Sequence, residues 1–212
     1  SRCAAGHRQP RVRYLARRSL RTALLYGLAV GSVLFSLARP LGELLYHEPD
    51  AGTYLRLYAP LVPLLYTDIV TDAICKGLGH QDANARYNLL TSFLDVAFLW
   101  YLLPRLGLGG YFLSFAVTHL VNFLLSFRRL VLVSGIRMDL SPVLRAAVCT
   151  VAAALGAELL PQGSGALGLV LSGSCCLLLL LFLWTLLRVI GPEDFLWLRT
   201  IFRQKPAPHP HR

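Results

Sequence analysis

Long apolar segments alternate with short polar segments six times along the chain. Each apolar segment is close to the roughly 17–25 residues that an α-helix needs to span a bilayer. The six segments cover residues 22–38, 54–75, 85–103, 110–133, 143–160 and 165–190. The pattern therefore predicts an all-α fold, a polytopic membrane bundle of six transmembrane helices.

Prolines mark the predicted ends and bends of several crossings. The first crossing is expected to stop at Arg39 and Pro40, and the third at Pro104, because proline and the residue before it disfavour helical continuation. Pro60 and Pro63 lie inside the second crossing instead. There they predict a kink, and we interpret them as a hinge.

The chain divides into four predicted segments. Residues 1–21 contain seven arginines, and their amphipathic pattern predicts a helix lying in the headgroup layer on the cytoplasmic side. Residues 22–133 hold four crossings, residues 134–192 hold two more, and residues 193–212 form a cytoplasmic tail. Because the chain begins at Ser1, we interpret it as part of a longer polypeptide.

Basic residues are distributed very unequally between the two sides of this alternation. Of the 21 Lys and Arg residues, 18 lie on one side, in groups of seven, two, four and five. The other side has only Arg39, Arg56 and Arg105. Cytoplasmic loops of membrane proteins carry an excess of Lys and Arg. We therefore expect both chain ends to lie in the cytoplasm.

The overall composition does not suit a soluble domain. The chain is 55% hydrophobic, only 15% charged, and has a mean hydropathy of +0.55. In a soluble protein the net charge of +10 would indicate a nucleic-acid partner. Here the basic residues flank apolar segments, so we expect the bilayer and its anionic lipids as partners, and no nucleic acid.

Two aspartates lie four residues apart in the second predicted crossing. Asp68 and Asp72 therefore share one face of that helix. Ionisable side chains at bilayer depth are costly and usually face a bundle interior or a water-filled cavity. Both are candidates for a cargo or ion site, although Asp72 is also placed to form an ion pair with Lys76 at the inner interface.

The third and fourth crossings each carry a polar stripe. Asp95 lies near the middle of the third crossing, and His119 and Asn122 lie on the fourth. The two stripes also include Asn88, Thr91, Ser92 and Ser126. They either form interhelical hydrogen bonds, worth about 0.6–2 kcal/mol each, or line a hydrophilic cavity that receives a polar cargo headgroup. The sequence leaves both alternatives open.

No catalytic constellation occurs in the sequence. There is no nucleophile elbow, no phosphate-binding glycine loop and no paired-histidine metal motif. The glycine-rich stretch at 106–110 lacks the preceding strand and the spacing of a nucleotide-binding loop. We therefore predict no enzyme activity, no metal and no cofactor.

Three stretches carry a resemblance to a known family. They are RPLGELLYHEPDAGTYLRLYAP (39–60), DAICKGLGHQDANARYNLL (72–90) and the run from LP to GLGGYFLSFAVTHLVNFLLSFRRL (103–130). Over this region the chain resembles the C-terminal half of the MOP flippase superfamily. The similarity is to the branch that contains stage V sporulation protein B and related polysaccharide exporters. Lys76 stands where that branch often has Gln.

This resemblance implies a fold and a function. The chain would be the C-terminal lobe of a MATE-like, two-lobe transporter in the bacterial plasma membrane, and the N-terminal lobe of the same polypeptide would be its partner. The complete protein would move a lipid-linked sugar, such as a lipid II-like peptidoglycan precursor, across the membrane by alternating access.

Two other functions stay open at this stage. One is a multidrug antiporter of the same superfamily, in which Asp68 and Asp95 bind an organic cation or a proton. The other is a membrane scaffold that transports nothing and recruits enzymes of cell-wall synthesis through its basic loops. In the scaffold, helix–helix contacts would consume both polar stripes and leave no cavity.

Overall fold

The computed structural model describes residues 9–47, 49–136, 139–159 and 165–191, and these ranges contain helices and turns but no β-strand. The α-helices are α1 (Gln9–Leu41), α2 (Pro49–Tyr58), α3 (Val62–Gly77), α4 (Gln81–Leu106), α5 (Leu108–Ser134), α6 (Leu140–Glu158) and α7 (Gly165–Leu186). Six helical segments are long and apolar enough to cross a membrane, with α2 and α3 together forming one of them. The prediction of an all-α bundle with six such segments is confirmed, and the chain is a multi-pass membrane protein.

The first crossing is part of one continuous helix of 33 residues. At 1.5 Å per residue, α1 is about 50 Å long, which exceeds the roughly 30 Å of a bilayer core. The expected separate helix before the first crossing is therefore a continuation of it over residues 9–21, where the sequence beyond Pro10 contains no helix breaker. The rest of that basic segment, 1–8, and the predicted tail, 193–212, lie outside the described residues.

Two prolines that were expected to end helices lie inside them, so those expected ends were wrong. α1 continues through Pro40 into a π-helical turn, Gly42–Tyr46, and α4 continues through Pro104 to Leu106. A proline in the last turn removes a single backbone hydrogen bond, which the rest of the helix tolerates. α4 ends at Leu106, and the next residue, Gly107, has a φ of 56°, a conformation that favours glycine.

The second crossing is interrupted where its prolines predict a kink. A 3-10 turn, Ala59–Leu61, separates α2 from α3, and Pro60 lies within that turn. Pro63 follows at the start of α3, where a missing backbone N–H costs nothing. The interruption lies where Pro60 and Pro63 predict a kink. The role of the two prolines as a hinge stays a prediction.

The helices form a row in which each packs on its neighbours. α4 packs on α5, α5 on α3, and α3 on α1, while α1 also packs on α6 and α7, which contact each other. α4 lies at the edge of this row, and Trp100 on its outer face is 86% exposed within the chain. That surface requires lipid or another protein segment to cover it.

Hydrogen bonds join several basic segments at one end of the bundle. Arg13 of α1 donates to the backbone oxygen of Ser134 at the end of α5 (2.8 Å). Arg21 of α1 donates to the backbone oxygen of Val189, just after α7 (2.6 Å). The α3–α4 turn and the α5–α6 connector lie at this end too, and we call it the basic end.

The opposite end contains a salt bridge between distant parts of the chain. Arg56 of α2 and Glu158 at the end of α6 approach to 2.6 Å, and both side chains are about three-quarters buried. The Arg56 guanidinium also lies 4.5 Å from the ring centroid of Phe35 on α1. This group of contacts joins the second crossing to α6 across α1.

Small residues allow α1 and α3 to approach closely. A Cβ atom added to Gly27 would lie 2.6 Å from Cα of Pro63, and one added to Gly31 would lie 2.9 Å from the backbone oxygen of Ala59. Both distances are shorter than a van der Waals contact. The spacing of four residues places these glycines on one face, as in other small-residue interfaces of membrane helices.

We expect Gly27→Ala to destabilise the protein by about 1–3 kcal/mol, because the new methyl group overlaps the backbone of α3. Thermal unfolding of the purified chain in detergent would measure the loss. Gly77→Ala is the matched control, since a Cβ at Gly77 has nothing within 4 Å. Equal stability of the two variants would contradict the close α1–α3 contact.

Candidate functional site

Polar side chains of α3, α4 and α5 form a connected network inside the bundle. On α5, buried residues recur at every fourth position and share one face, and all of them except Leu130 are small or polar. The small or polar residues are Gly110, Ser114, Thr118, Asn122, Ser126 and Ser134. The face lies between α3 and α4, which both pack on α5. Carboxylates and amides from the two neighbouring helices meet it there.

The network is centred on Asn122. Its Nδ2 donates to Oδ2 of Asp68 on α3 at 3.0 Å. The hydroxyl of Thr91 on α4 lies 3.4 Å from Oδ1 of Asn122. Asn122 therefore connects all three helices through a single amide, and both Asn122 and Thr91 are buried.

Asp72 accepts hydrogen bonds from two other helices. Nδ2 of Asn84 donates to its Oδ1 at 2.7 Å, the Ser126 hydroxyl lies 3.3 Å from the same oxygen, and Nδ2 of Asn88 lies 3.5 Å from its Oδ2. Among the described residues, no salt bridge joins Asp72 to Lys76, so the expected ion pair is not formed. Asp72 points into the α3–α4–α5 contact instead.

Asp95 lies further from the basic end, and its hydrogen-bond partners within the described ranges are two hydroxyl residues of α5. The hydroxyl of Ser114 donates to its Oδ1 at 2.7 Å, and that of Thr118 lies 3.3 Å from the same atom. Neither hydroxyl residue is among the candidates that the sequence predicts. The sequence feature that points to them is the four-residue spacing that they share with Asn122 and Ser126.

A cleft of about 240 Å³ lies between α4 and α5, and polar residues line all of it. They are Asn88, Thr91, Ser92, Asp95, Thr118, His119 and Asn122. We call this the polar cleft. The imidazole of His119 packs on the ring of Phe115, with 4.1 Å between centroids. A cleft of this size and polarity has room for several water molecules.

The predicted site residues separate into three groups. Asp95, His119 and Asn122 line the polar cleft. Asp68 contacts Asn122, and Asp72 contacts Asn88, so the two aspartates support the cleft from behind without lining it. Pro60 and Pro63 lie elsewhere, in an apolar cleft between α1, α3 and α6.

One buried carboxylate oxygen in the network has no hydrogen-bond partner among the described residues. It is Oδ1 of Asp68, whose other oxygen accepts from Asn122. A buried polar atom without a partner is costly. Within the described ranges, no three His, Cys, Asp or Glu side chains converge to hold a metal ion.

Comparisons with protein-family models, with curated proteins and with solved structures find no match to this chain. The fold and the polar network therefore define the class of protein. The chain is an all-α, multi-pass membrane protein with a polar cleft among helices of membrane-spanning length.

We expect Asp72→Ala to destabilise the bundle more than Asp68→Ala. The first change removes the acceptor of Asn84 and Ser126, which are both fully buried, at a cost of about 1–3 kcal/mol. Asp68→Ala removes one oxygen that accepts a hydrogen bond and one oxygen that has no partner among the described residues. Thermal unfolding of the two variants under the same conditions would test the order. A larger loss for Asp68→Ala would refute the network as described.

Proposed function

We propose that the chain is the C-terminal part of a flippase for lipid-linked oligosaccharides, such as a peptidoglycan precursor, in the bacterial plasma membrane. The observation that carries the proposal is the polar cleft. Ionisable and polar side chains at membrane depth are costly, so a cleft whose described lining residues are all polar supports a functional site. The resemblance of residues 39–130 to a flippase superfamily supplies the class of cargo.

The lining of the cleft suits the sugar portion of such a cargo. Asp95, His119, Asn122 and Ser92 offer both donors and acceptors, which match the hydroxyl and amide groups of a sugar. The pyrophosphate of a lipid-linked sugar is anionic, and the carboxylates of Asp95 and Asp68 would repel it. We therefore assign pyrophosphate binding to basic residues of the N-terminal lobe that the proposal requires.

The distribution of charge supports an orientation with both ends in the cytoplasm. The basic end of the bundle carries Arg13, Arg21 and Arg129, whereas Arg39 and Arg56 lie towards the opposite end. An excess of Lys and Arg is typical of the cytoplasmic side. The cleft would then open to one side or the other as the two lobes rock against each other.

The polar cleft favours transport over a purely structural scaffold. A scaffold would consume its polar stripes in helix–helix contacts. Many of these contacts exist here, but Ser92 is exposed, His119 is half-buried, and Oδ1 of Asp68 has no partner among the described residues. Helix packing alone does not require an exposed serine, a half-buried histidine or a carboxylate oxygen without a partner.

The second candidate function is export of organic cations by an antiporter. The cleft contains the carboxylate of Asp95, and no described Lys or Arg lines it. Asp68 adds a second carboxylate directly behind Asn122. An acidic site of this kind also suits a cation or a coupling proton.

The flippase proposal predicts that the full-length gene restores growth in cells depleted of their own lipid II flippase. The measurement is the exposure of precursor on the outer surface. Asp95→Asn should reduce this exposure strongly, because the residue lines the cleft. Glu43→Gln is the control, since Glu43 is an exposed acid at the opposite end of the bundle. A well-expressed wild-type protein without any rescue would refute the flippase.

The antiporter alternative has a different signature in the same cells. Loss of pH-dependent drug efflux in Asp68→Asn and Asp95→Asn, with precursor exposure unchanged, would favour cation export. Loss of precursor exposure without any measurable drug efflux would favour the flippase.

Water access distinguishes either transporter from the scaffold. Cysteine introduced at Ser92 or His119 should react with a membrane-impermeant thiol reagent, because both positions line the polar cleft. Cysteine at Val96 is the control, since that position is exposed on α4 outside the lining of the cleft. The native cysteines at 75, 149 and 176 are buried, whereas Cys175 is half-buried, so the labelling uses a background in which Cys175 is replaced by serine. No labelling at either cleft position would favour the scaffold.

A further inference from the structure

The apolar cleft between α1, α3 and α6 has a volume of about 260 Å³. Its long walls are formed by Leu28 to Phe35 of α1 and by Ala147 to Leu155 of α6. At 1.5 Å per residue, each wall is about 10–12 Å long. The acyl chains of one leaflet fill roughly 15 Å, half of a bilayer core. The cleft is therefore long enough to hold most of one acyl chain.

The lining of the apolar cleft offers little to a polar ligand. Its two described hydroxyl residues, Ser32 and Thr150, donate to backbone oxygens three and four residues earlier in their own helices. Pro60 and Pro63 interrupt the second crossing beside the cleft, but neither has a backbone N–H. Hydrocarbon chains surround a multi-pass membrane protein, and an apolar cavity does not favour water. A hydrocarbon chain is therefore the ligand that suits this cleft.

A pair of opposite charges lies at one end of the apolar cleft. The guanidinium of Arg56 lies 4.5 Å from the ring centroid of Phe35, which lines the cleft. Glu158 follows the lining residue Leu155 by three positions and so lies on the same face of α6. We call this end the mouth of the apolar cleft. The cleft thus combines a charged mouth with an apolar interior.

The charges at the mouth sum to zero and keep some capacity for hydrogen bonds. Arg56 and Glu158 approach to 2.6 Å, and about a quarter of each side chain is exposed. Their contacts use only Nη2 of the arginine, and its other nitrogens make no hydrogen bond within the described ranges. A carboxylate has about four acceptor positions. A head group with one anion and one cation can therefore bind while the ion pair stays formed.

We propose that the apolar cleft and its mouth bind phosphatidylethanolamine. One acyl chain lies in the cleft, the phosphate accepts from Arg56, and the ammonium group donates to Glu158. Phosphatidylcholine has no N–H to donate to the carboxylate, and phosphatidylglycerol has no cation to place beside it. The site is separate from the polar cleft, and it depends on neither transport function.

Native mass spectrometry of the purified full chain in a neutral detergent tests the head group. Dioleoyl-phosphatidylethanolamine should bind more tightly than the dioleoyl forms of phosphatidylcholine and phosphatidylglycerol. Glu158→Gln keeps an acceptor for Arg56 but removes the negative charge. It should weaken phosphatidylethanolamine by about fivefold without weakening phosphatidylglycerol.

Glu43→Gln is the matched control for the head group. It removes one exposed acid at the same end of the bundle, from a residue outside the lining of the apolar cleft. Equal binding of the three lipids by the wild type would overturn the assignment to phosphatidylethanolamine. Equal weakening by Glu158→Gln and Glu43→Gln would overturn the mouth as its binding site.

A second pair of variants tests the position of the acyl chain. Val151 and Val148 are both exposed on α6, but only Val151 lines the apolar cleft. Val151→Phe should weaken the dioleoyl lipid by about fourfold for each methylene group that it displaces, and Val148→Phe should not. Equal binding by the two variants would overturn the site. A dimeric chain that only Val151→Phe dissociates would place a second copy in the cleft and refute the lipid.

Discussion

Polar atoms inside a bundle surrounded by lipid must find their partners within the protein, and this constraint organises half of the structure. A bilayer core contains no water to satisfy a carboxylate or an amide. Asp68, Asp72 and Asp95 therefore accept hydrogen bonds from neighbouring helices. These bonds hold α3, α4 and α5 at defined rotations about their axes.

The other half of the bundle is stabilised by apolar packing. α1, α6 and α7 meet through small and apolar side chains, including the buried cluster of Ala146, Cys149, Ala153, Leu180 and Trp184. The close approach of Gly27 to Pro63 joins the two halves. This division separates the polar cleft from the apolar cleft between α1, α3 and α6.

Sequence patterns identified several polar residues of this region, but not the hydroxyl groups that bond to Asp95. Asp95, His119 and Asn122 stand out because polar residues at bilayer depth are rare. Ser114 and Thr118 do not stand out, since hydroxyl residues are common in membrane helices. They matter because each hydroxyl lies within hydrogen-bond distance of the Asp95 carboxylate. Asp72 shows the same limit, since its spacing favours Lys76 on its own helix, whereas its partners lie on α4 and α5.

The sequence by itself determined the number of crossings, the asymmetry of basic charge and the faces on which polar residues lie. These properties depend on composition and on periodicity within a single segment, so neighbouring helices do not alter them. The tertiary structure alone decided which helices pack together, and therefore which aspartate lines the cleft and which supports it. The partner of a side chain depends on the order and rotation of separate helices, and no local pattern encodes that arrangement.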